Sequence, residues 1–84
     1  MSFKELWEFE KSKLDCDIML VRLGDHYNAY YTDAKRLYHD FDFTEINRLN
    51  GEIFSATITE QKLFSVLDYY KANGITTKIL SEGK

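Results

Sequence analysis

The fold of this chain is decided by the stretch LVRLGDHYNAYYTDAKR, which occupies residues 20–36 of the 84-residue sequence. Its first four residues are mostly apolar and predict the end of a buried strand that reaches a corner at Gly24-Asp25. An aromatic-rich extended segment follows the corner and enters a helix whose first turn carries Asp33. The stretch therefore predicts a domain in which strands and helices alternate.

The other elements are predicted from apolar spacing and from turn residues. In chain order we expect a helix from Ser2 to about Leu14 and a strand over Ile18–Leu23. A second helix, capped by Thr32, has Ala34, Leu37, Tyr38 and Phe41 on one side, and strands over Phe43–Ile46 and Ile53–Ile58 follow it. A third helix is marked by Leu63, Val66, Leu67 and Tyr70, with Thr57 or Thr59 near its start, and the last strand covers Ile75–Leu80. Residues Ser81–Lys84 are expected to fray.

Three local signals support these boundaries. Ser2 and Glu5 have the spacing of a capping box, in which each residue bonds the backbone of the other. Asn50-Gly51 is typical of a two-residue hairpin turn because both residues accept positive φ angles. Gly74 is expected in the left-handed conformation at the end of the third helix.

The alternation of elements predicts an α/β (α+β) fold with a mixed β-sheet and three packed helices. Residues 1–84 contain no linker and no internal repeat, so we expect a single domain. Six Phe, six Tyr and one Trp supply bulky side chains for its small core. The domain is expected to fold without a metal or a disulfide.

The order of residues in the opening stretch resembles the N-terminal mismatch-recognition domain of the DNA mismatch repair protein MutS. In that family an apolar strand leads into Gly-Asp-Phe-Tyr-Glu, and an aromatic pair and a helix starting Asp-Ala-Lys-Arg follow. The residues here that match are Gly24, Asp25, Tyr27, Tyr30, Tyr31, Asp33, Ala34, Lys35 and Arg36. With the helix, Gly and strand of Leu63–Leu80, the resemblance extends over about two thirds of the chain.

The resemblance implies a role in nucleic-acid binding with altered base-reading residues. In MutS, the aromatic residue after Gly-Asp stacks as a wedge on a mispaired base, and the Glu two residues later hydrogen-bonds that base. His26 and Asn28 stand at these positions. Imidazole is a smaller and better hydrated wedge than a phenyl ring, and Asn lacks the charge of Glu. Thr59 and Gln61 also stand where the family usually carries Pro and His.

Five residues form the predicted nucleic-acid-binding site: His26, Asn28, Tyr30, Lys35 and Arg36. The first three alternate along one extended segment, so they are expected on one face at steps of about 6 to 7 Å. Lys35 and Arg36, in the first turn of the second helix, could contact phosphates. The structural alternatives are a partly exposed His and Asn, tyrosines divided between core and rim, and solvated Lys and Arg side chains.

Charge and composition exclude several classes of protein. Eleven Lys and Arg against fourteen Asp and Glu give a net charge of −3, so strong duplex binding through a basic face is not expected. A single cysteine, Cys16, rules out an internal disulfide and a cysteine zinc site. No segment approaches the roughly 20 apolar residues of a membrane span, and no signal peptide is evident. We therefore expect a cytoplasmic protein without cofactor, metal or membrane partner.

Catalysis is not expected. His26 directly follows Asp25, and neighbours on a strand face opposite sides, so the geometry of a catalytic dyad is unfavourable. His39 lies elsewhere, and Cys16 has no base near it in sequence. The chain also lacks a phosphate-binding Gly-x-x-x-x-Gly-Lys-Ser/Thr loop, which excludes the ATPase activity of MutS.

Two functions follow as hypotheses. The first is a non-catalytic, MutS N-terminal-like module with an accessory role in nucleic-acid transactions, which would bind DNA weakly. The alternative is a protein–protein interaction module that kept the fold and lost DNA recognition. The Gly-Asp-x-Tyr block favours the first hypothesis, and the acidic balance favours the second.

Overall fold

A computed structural model describes residues 2–81 and contains three helices and five strands within that range. Their bounds are α1 Phe3–Leu14, β1 Ile18–Leu23, β2 His26–Tyr30, α2 Thr32–Asp40, β3 Glu45–Leu49, β4 Glu52–Thr59, α3 Glu60–Ala72 and β5 Thr77–Ser81.

The five strands form one mixed sheet in the order β3-β4-β2-β1-β5. All neighbouring pairs are antiparallel except β1 and β5, which are parallel. The predicted fold class, a mixed sheet with three helices, is confirmed. The segment after the Gly24-Asp25 corner is a strand in its own right, β2, which returns beside β1 with Leu23 opposite His26.

The local signals for helix and turn formation are confirmed. Glu5 donates its backbone N–H to Ser2 Oγ at 3.2 Å, and Ser2 donates its own to Glu5 Oε1 at 2.9 Å. Asn50 and Gly51 have φ angles of 54° and 82° and close the hairpin between β3 and β4. Gly74 has a φ of 72°, as expected for the residue that ends α3.

Several predicted boundaries differ from the structure. Thr32 is the first residue of α2, and Tyr31 occupies the cap position with a φ of 58°. The third strand starts at Glu45 because Thr44 turns inward and donates its hydroxyl to the Leu37 carbonyl at 3.3 Å. The last strand begins at Thr77, two residues later than predicted. Ser81 ends β5, and the rest of the segment predicted to fray lies outside the described residues.

The two faces of the sheet are covered unequally. Tyr27 and Ala29 of β2 point to one face and are buried opposite Ile58 and Ala56 of β4. Helices α2 and α3 cover this face, and their buried residues join it in a single core. The core consists of Trp7, Ile18, Met19, Leu20, Tyr27, Ala29, Ala34, Leu37, Phe41, Ala56, Ile58, Leu63, Val66 and Tyr70. Helix α1 packs against the other face.

None of the helices within residues 2–81 has the length and apolar character needed to cross a membrane.

Candidate binding surface

The sheet face opposite α2 and α3 is partly uncovered, and we call it the open face. His26 and Asn28 of β2 lie on it because residues of alternating parity point to opposite sides of a strand. The register places cross-strand partners on the same side. The open face thus includes Val21, Leu23, His26, Asn28, Thr57 and Leu80. All are half-buried except His26, which is exposed.

Helix α1 covers only one end of that side of the sheet. The Tyr30 ring lies edge-on to Phe3 and Trp7, with ring centroids 4.9 and 5.1 Å apart. Phe54 lies 5.4 Å from Tyr30 and 5.3 Å from Tyr31. We call Phe3, Trp7, Tyr30, Tyr31 and Phe54 the aromatic cluster. Tyr30 is therefore half-buried beneath α1, with neighbouring aromatic rings packed against it.

A β-bulge brings Phe54 into the aromatic cluster. Ser55 pairs with Asn47 and Ile53 pairs with Arg48, so Phe54 is an extra residue between successive pairs of β3 and β4. The Phe54 carbonyl accepts a 2.9 Å hydrogen bond from the Tyr31 backbone N–H. No glycine or proline adjoins Phe54 to indicate this bulge, since the nearest one, Gly51, belongs to the hairpin turn.

An apolar groove of about 250 Å³ separates α1 from the open face. Its lining is almost entirely apolar, with one carboxylate, and comprises Phe3, Leu6, Trp7, Glu10, Met19, Val21, Leu23, Tyr30 and Leu80. Phe3 and Leu6 are each 44% exposed although they belong to a helix face that touches the sheet. Water-exposed apolar side chains that converge on one concave site are typical of a binding surface.

His26 begins β2 at the uncovered end of the open face, as predicted for a presented side chain. Its Nδ1 lies 2.6 Å from Asp25 Oδ1. The expectation that Asp25 and His26 face opposite sides is wrong, because Asp25 lies in the turn before the strand and its carboxylate reaches the ring. The Asp25 carboxylate occupies the Nδ1 side of the ring, so a ligand would approach His26 from its Nε2 side.

Asn28 lies on the same face as His26, as predicted, but its amide is bonded within the protein. Its Nδ2 donates to Tyr30 Oη at 3.1 Å, and its Oδ1 accepts from Thr57 Oγ1 at 2.8 Å. The bond to Tyr30 lies within β2, and the bond from Thr57 joins β4 to β2 across the ladder. Asn28 consequently serves the rigidity of the open face and has only its remaining donor and acceptor capacity for a ligand.

The structure does not bring Lys35 and Arg36 together with His26. Lys35 Nζ is 3.2 Å from Glu52 Oε1, beside the hairpin turn at the opposite end of β2. Arg36 Nε is 3.2 Å from Asp40 Oδ2, and its guanidinium lies 5.9 Å from the Tyr70 ring on the helical side. The five predicted site residues thus divide into one group on the sheet and another on α2.

Acidic groups surround the uncovered end of β2. The Glu60 backbone N–H donates to the Asp25 carbonyl at 3.1 Å and fixes the start of α3 on the corner. Arg22 is the cation at this corner, and it lies 3.8 Å from Glu60 and donates to the Gly24 carbonyl at 3.1 Å. Asp25 and Glu60 together carry two negative charges against the one positive charge of Arg22, so the electrostatic potential at this corner is unfavourable for phosphate.

A second polar cluster joins α2 to α3 on the covered side. Asp40 accepts hydrogen bonds from Tyr70 Oη at 2.9 Å and Arg36 Nε at 3.2 Å, and His39 Nδ1 is 3.1 Å away. Burial raises the pKa of Asp40, but the hydrogen bonds from His39, Tyr70 and Arg36 outweigh it, and the net pKa is lowered. Burial, followed by the bond to Asp40, raises the pKa of Tyr70 well above its usual value.

No arrangement of metal-binding side chains occurs in the described part of the chain. Burial raises the pKa of the Cys16 thiol, which opposes formation of a nucleophilic thiolate.

Of the residues that line the apolar groove, Tyr30 alone was predicted as a site residue. Val21, Leu23 and Leu80 carry the signal of ordinary buried strands, and nothing local distinguishes a strand covered on both sides from one covered on one. The only hint is that Phe3, Leu6 and Phe9 extend the apolar side of α1 beyond one narrow stripe.

Comparisons of the sequence with protein-family models and with curated proteins found no match.

Proposed function

We propose that the chain is a non-catalytic protein-interaction module of the MutS N-terminal type, with the apolar groove and the adjoining open face as its contact surface. The observation that carries this proposal is the groove itself, where half-exposed Phe3 and Leu6 face Val21, Leu23 and Leu80 across about 250 Å³. Covering these side chains removes apolar area from water at roughly 25 cal/mol per Å².

The charge distribution supports protein over nucleic acid as the main ligand. The acidic residues Asp25 and Glu60 flank the corner, and Lys35 and Arg36 are paired elsewhere with carboxylates. Protein interfaces need only apolar complementarity with a polar rim, whereas nucleic-acid surfaces need several free cations. The resemblance to MutS supports the fold type, and the altered residues His26 and Asn28 agree with loss of mismatch reading.

Site-specific photo-crosslinking tests the proposal. A photoreactive phenylalanine analogue is placed at Leu6 in the groove, and the matched control carries it at Phe64, which is 75% exposed on α3. After irradiation in the cell that makes the protein, we expect a discrete adduct from position 6 that is missing from position 64. The same adducts from both positions, or none from position 6, would refute the proposal.

A second function, contact with nucleic acid, is favoured by one specific observation. His26 projects from the uncovered end of the open face with its side chain 51% exposed, at the position where the resemblance expects a base-stacking residue. Because Arg22 is the cation at the corner beside His26, the affinity for nucleic acid is expected to be low and to change little with salt concentration.

Fluorescence anisotropy with labelled single-stranded, duplex and mismatched oligonucleotides at low salt tests this second function. His26→Ala should weaken binding, while His39→Ala, which removes an exposed imidazole on α2, should not. Absence of binding at about tens of micromolar, a range reached by nonspecific contacts, would remove the nucleic-acid hypothesis. Equal effects of the two substitutions would show that His26 is not the contact.

A further inference from the structure

Strand β5 is an edge strand with an unpaired side. Among the strands of residues 2–81, its only neighbour in the sheet is β1. Ile18 donates its backbone N–H to the Thr76 carbonyl at 3.0 Å, so Thr76 directs its carbonyl toward β1. Because inward and outward backbone groups alternate along a strand, Lys78 and Leu80 also face β1, whereas Thr77, Ile79 and Ser81 direct their backbone groups outward.

The two edges of the sheet differ in how well they are protected. Charged residues and bulges both discourage edge pairing. Strand β3 carries two charged residues, Glu45 and Arg48, and lies against the bulge in β4, whereas β5 carries one, Lys78, and no bulge. The β5–β1 ladder has regular register from Ile18 opposite Thr77 to Arg22 opposite Ser81. Its central residue, Ile79, is 39% exposed. Strand β5 is therefore the edge open to strand addition.

We infer that β5 pairs antiparallel with β5 of a second copy of this chain, about a twofold axis at Ile79, to form a continuous ten-stranded sheet. This inference rests on the proposed protein-interaction function and names its partner. Ile79 is the midpoint of Thr77–Ser81, so this axis uses the whole strand. Ile79 faces its own copy, and Thr77 faces Ser81 of the second copy. These are the residues whose backbone groups point outward, so the Ile79–Ile79 pair and the two Thr77–Ser81 pairs can exchange hydrogen bonds, and the Lys78–Leu80 pairs between them are the non-hydrogen-bonded ones.

Charge complementarity in the same register supports a second copy as the occupant. Lys78 and Leu80 lie on the side of the open face, because they pair with Met19 and Val21. The axis sets Lys78 directly opposite Leu80 of the second copy, at a Cβ separation of about 5 Å. Leu80 lines the apolar groove together with Glu10, the one carboxylate there. Each Lys78 ammonium can thus reach Glu10 of the other copy, and symmetry makes this pair twice.

A buried hydroxyl gives independent support. Among the buried side-chain oxygen and nitrogen atoms of residues 2–81, Thr77 Oγ1 is the one that has no hydrogen-bond partner. Thr77 points to the side of the sheet away from Lys78, and the register places Ser81 of the second copy opposite it. A rotation about χ1 brings the Thr77 hydroxyl toward that serine, and a Thr–Ser pair of this kind stabilises neighbouring strands.

Light scattering coupled to size exclusion tests the inference. The wild-type chain should have twice the monomer mass at about 100 μM and shift toward monomer on dilution. Ile79→Pro removes an outward N–H that the monomer does not use, and it should give a folded monomer by circular dichroism. The matched control, Ile79→Val, keeps that N–H and should remain dimeric. A monomeric wild type, or a dimer that tolerates Ile79→Pro, would overturn the inference.

A charge reversal provides the second readout. Lys78→Glu should weaken dimer affinity by about tenfold or more, because it places a carboxylate beside Glu10 of the other copy at both symmetry-related contacts. The double variant Lys78→Glu with Glu10→Lys should restore the affinity. A double variant no better than the single one would overturn the assigned register. The outcome also separates this inference from the proposed function. A monomer that still yields a crosslinked adduct from position 6 keeps the function and rejects the second copy as the partner, whereas a monomer without an adduct rejects both.

Discussion

Lys11 Nζ lies 2.6 Å from Asp33 Oδ1, and this ion pair joins α1 to the first turn of α2. The other carboxylate oxygen accepts a 3.0 Å hydrogen bond from the Met19 backbone N–H in β1. Asp33 is 1% exposed, so Lys11 and the Met19 N–H supply the hydrogen bonds that water would otherwise give this carboxylate. One carboxylate thereby holds three elements together beside the groove.

Replacement of Asp33 by Ala should destabilise the protein by about 3 kcal/mol, because the Met19 N–H and the Lys11 ammonium both lose a buried partner. Urea unfolding followed by circular dichroism measures the change. Lys13→Ala, which removes an exposed pair with Glu10, is the control and should cost less than about 0.5 kcal/mol. Equal losses of unfolding free energy in the two variants would show that the buried Lys11–Asp33 pair stabilises the protein no more than an exposed pair does.

Tyr30→Ala distinguishes a core tyrosine from a ligand-contacting one. The ring contacts Phe3, Trp7 and Phe54, so its removal should cost about 3 to 5 kcal/mol and shift Trp7 fluorescence to longer wavelength as α1 loosens. The matched control is Tyr38→Ala on α2, where the side chain is exposed and the cost should be below about 1 kcal/mol. A stable Tyr30→Ala variant with unchanged fluorescence would contradict this account.

The elements that were predicted correctly depend on local chemistry. The capping box of Ser2 and Glu5, the Asn50-Gly51 turn and the end of α3 at Gly74 each involve residues a few positions apart, so the sequence displays them directly. The mixed sheet then follows from the order of the elements.

The elements that were missed depend on contacts between distant parts of the chain. The residues next to Phe54 do not indicate the bulge. The sequence of α1 likewise does not indicate that the helix packs over Tyr30 and leaves His26 uncovered. The carboxylates that pair with Lys35 and Arg36 likewise become visible only in three dimensions. The alternation along β2 correctly placed His26, Asn28 and Tyr30 on one face, whereas apart from Tyr30 the residues of the groove were not predicted.

Gly24→Ala tests the corner that opens β2. Gly24 has a φ of 66°, and an added Cβ would meet no atom within 4 Å, so the cost is backbone strain alone, about 1 kcal/mol. Gly24→Asn should cost less, because Asn tolerates the left-handed region better than Ala does. Urea midpoints of the two variants measure the difference. A larger loss for Asn than for Ala would show that side-chain packing, and not φ, limits this position.

The Asp40 cluster predicts acid sensitivity. The folded-state pKa of Asp40 is lowered from 3.8, so its ionised form stabilises the protein above that value, and this contribution is lost as the pH falls through the lowered folded-state pKa. Asp40→Asn should remove the contribution, cost about 1 to 3 kcal/mol at pH 7, and flatten the decline in stability between about pH 5 and pH 2.

Urea unfolding at a series of pH values checks this prediction, with Asp42→Asn as the control because Asp42 is exposed in the next loop. Tyr70→Phe adds a second variant, since it removes the 2.9 Å hydrogen bond to Asp40 while keeping the buried ring. It should cost about 1 kcal/mol at pH 7 and less at pH 2, where a protonated Asp40 needs the donor less. Parallel pH profiles for the wild type and Asp40→Asn would show that another carboxylate governs acid unfolding.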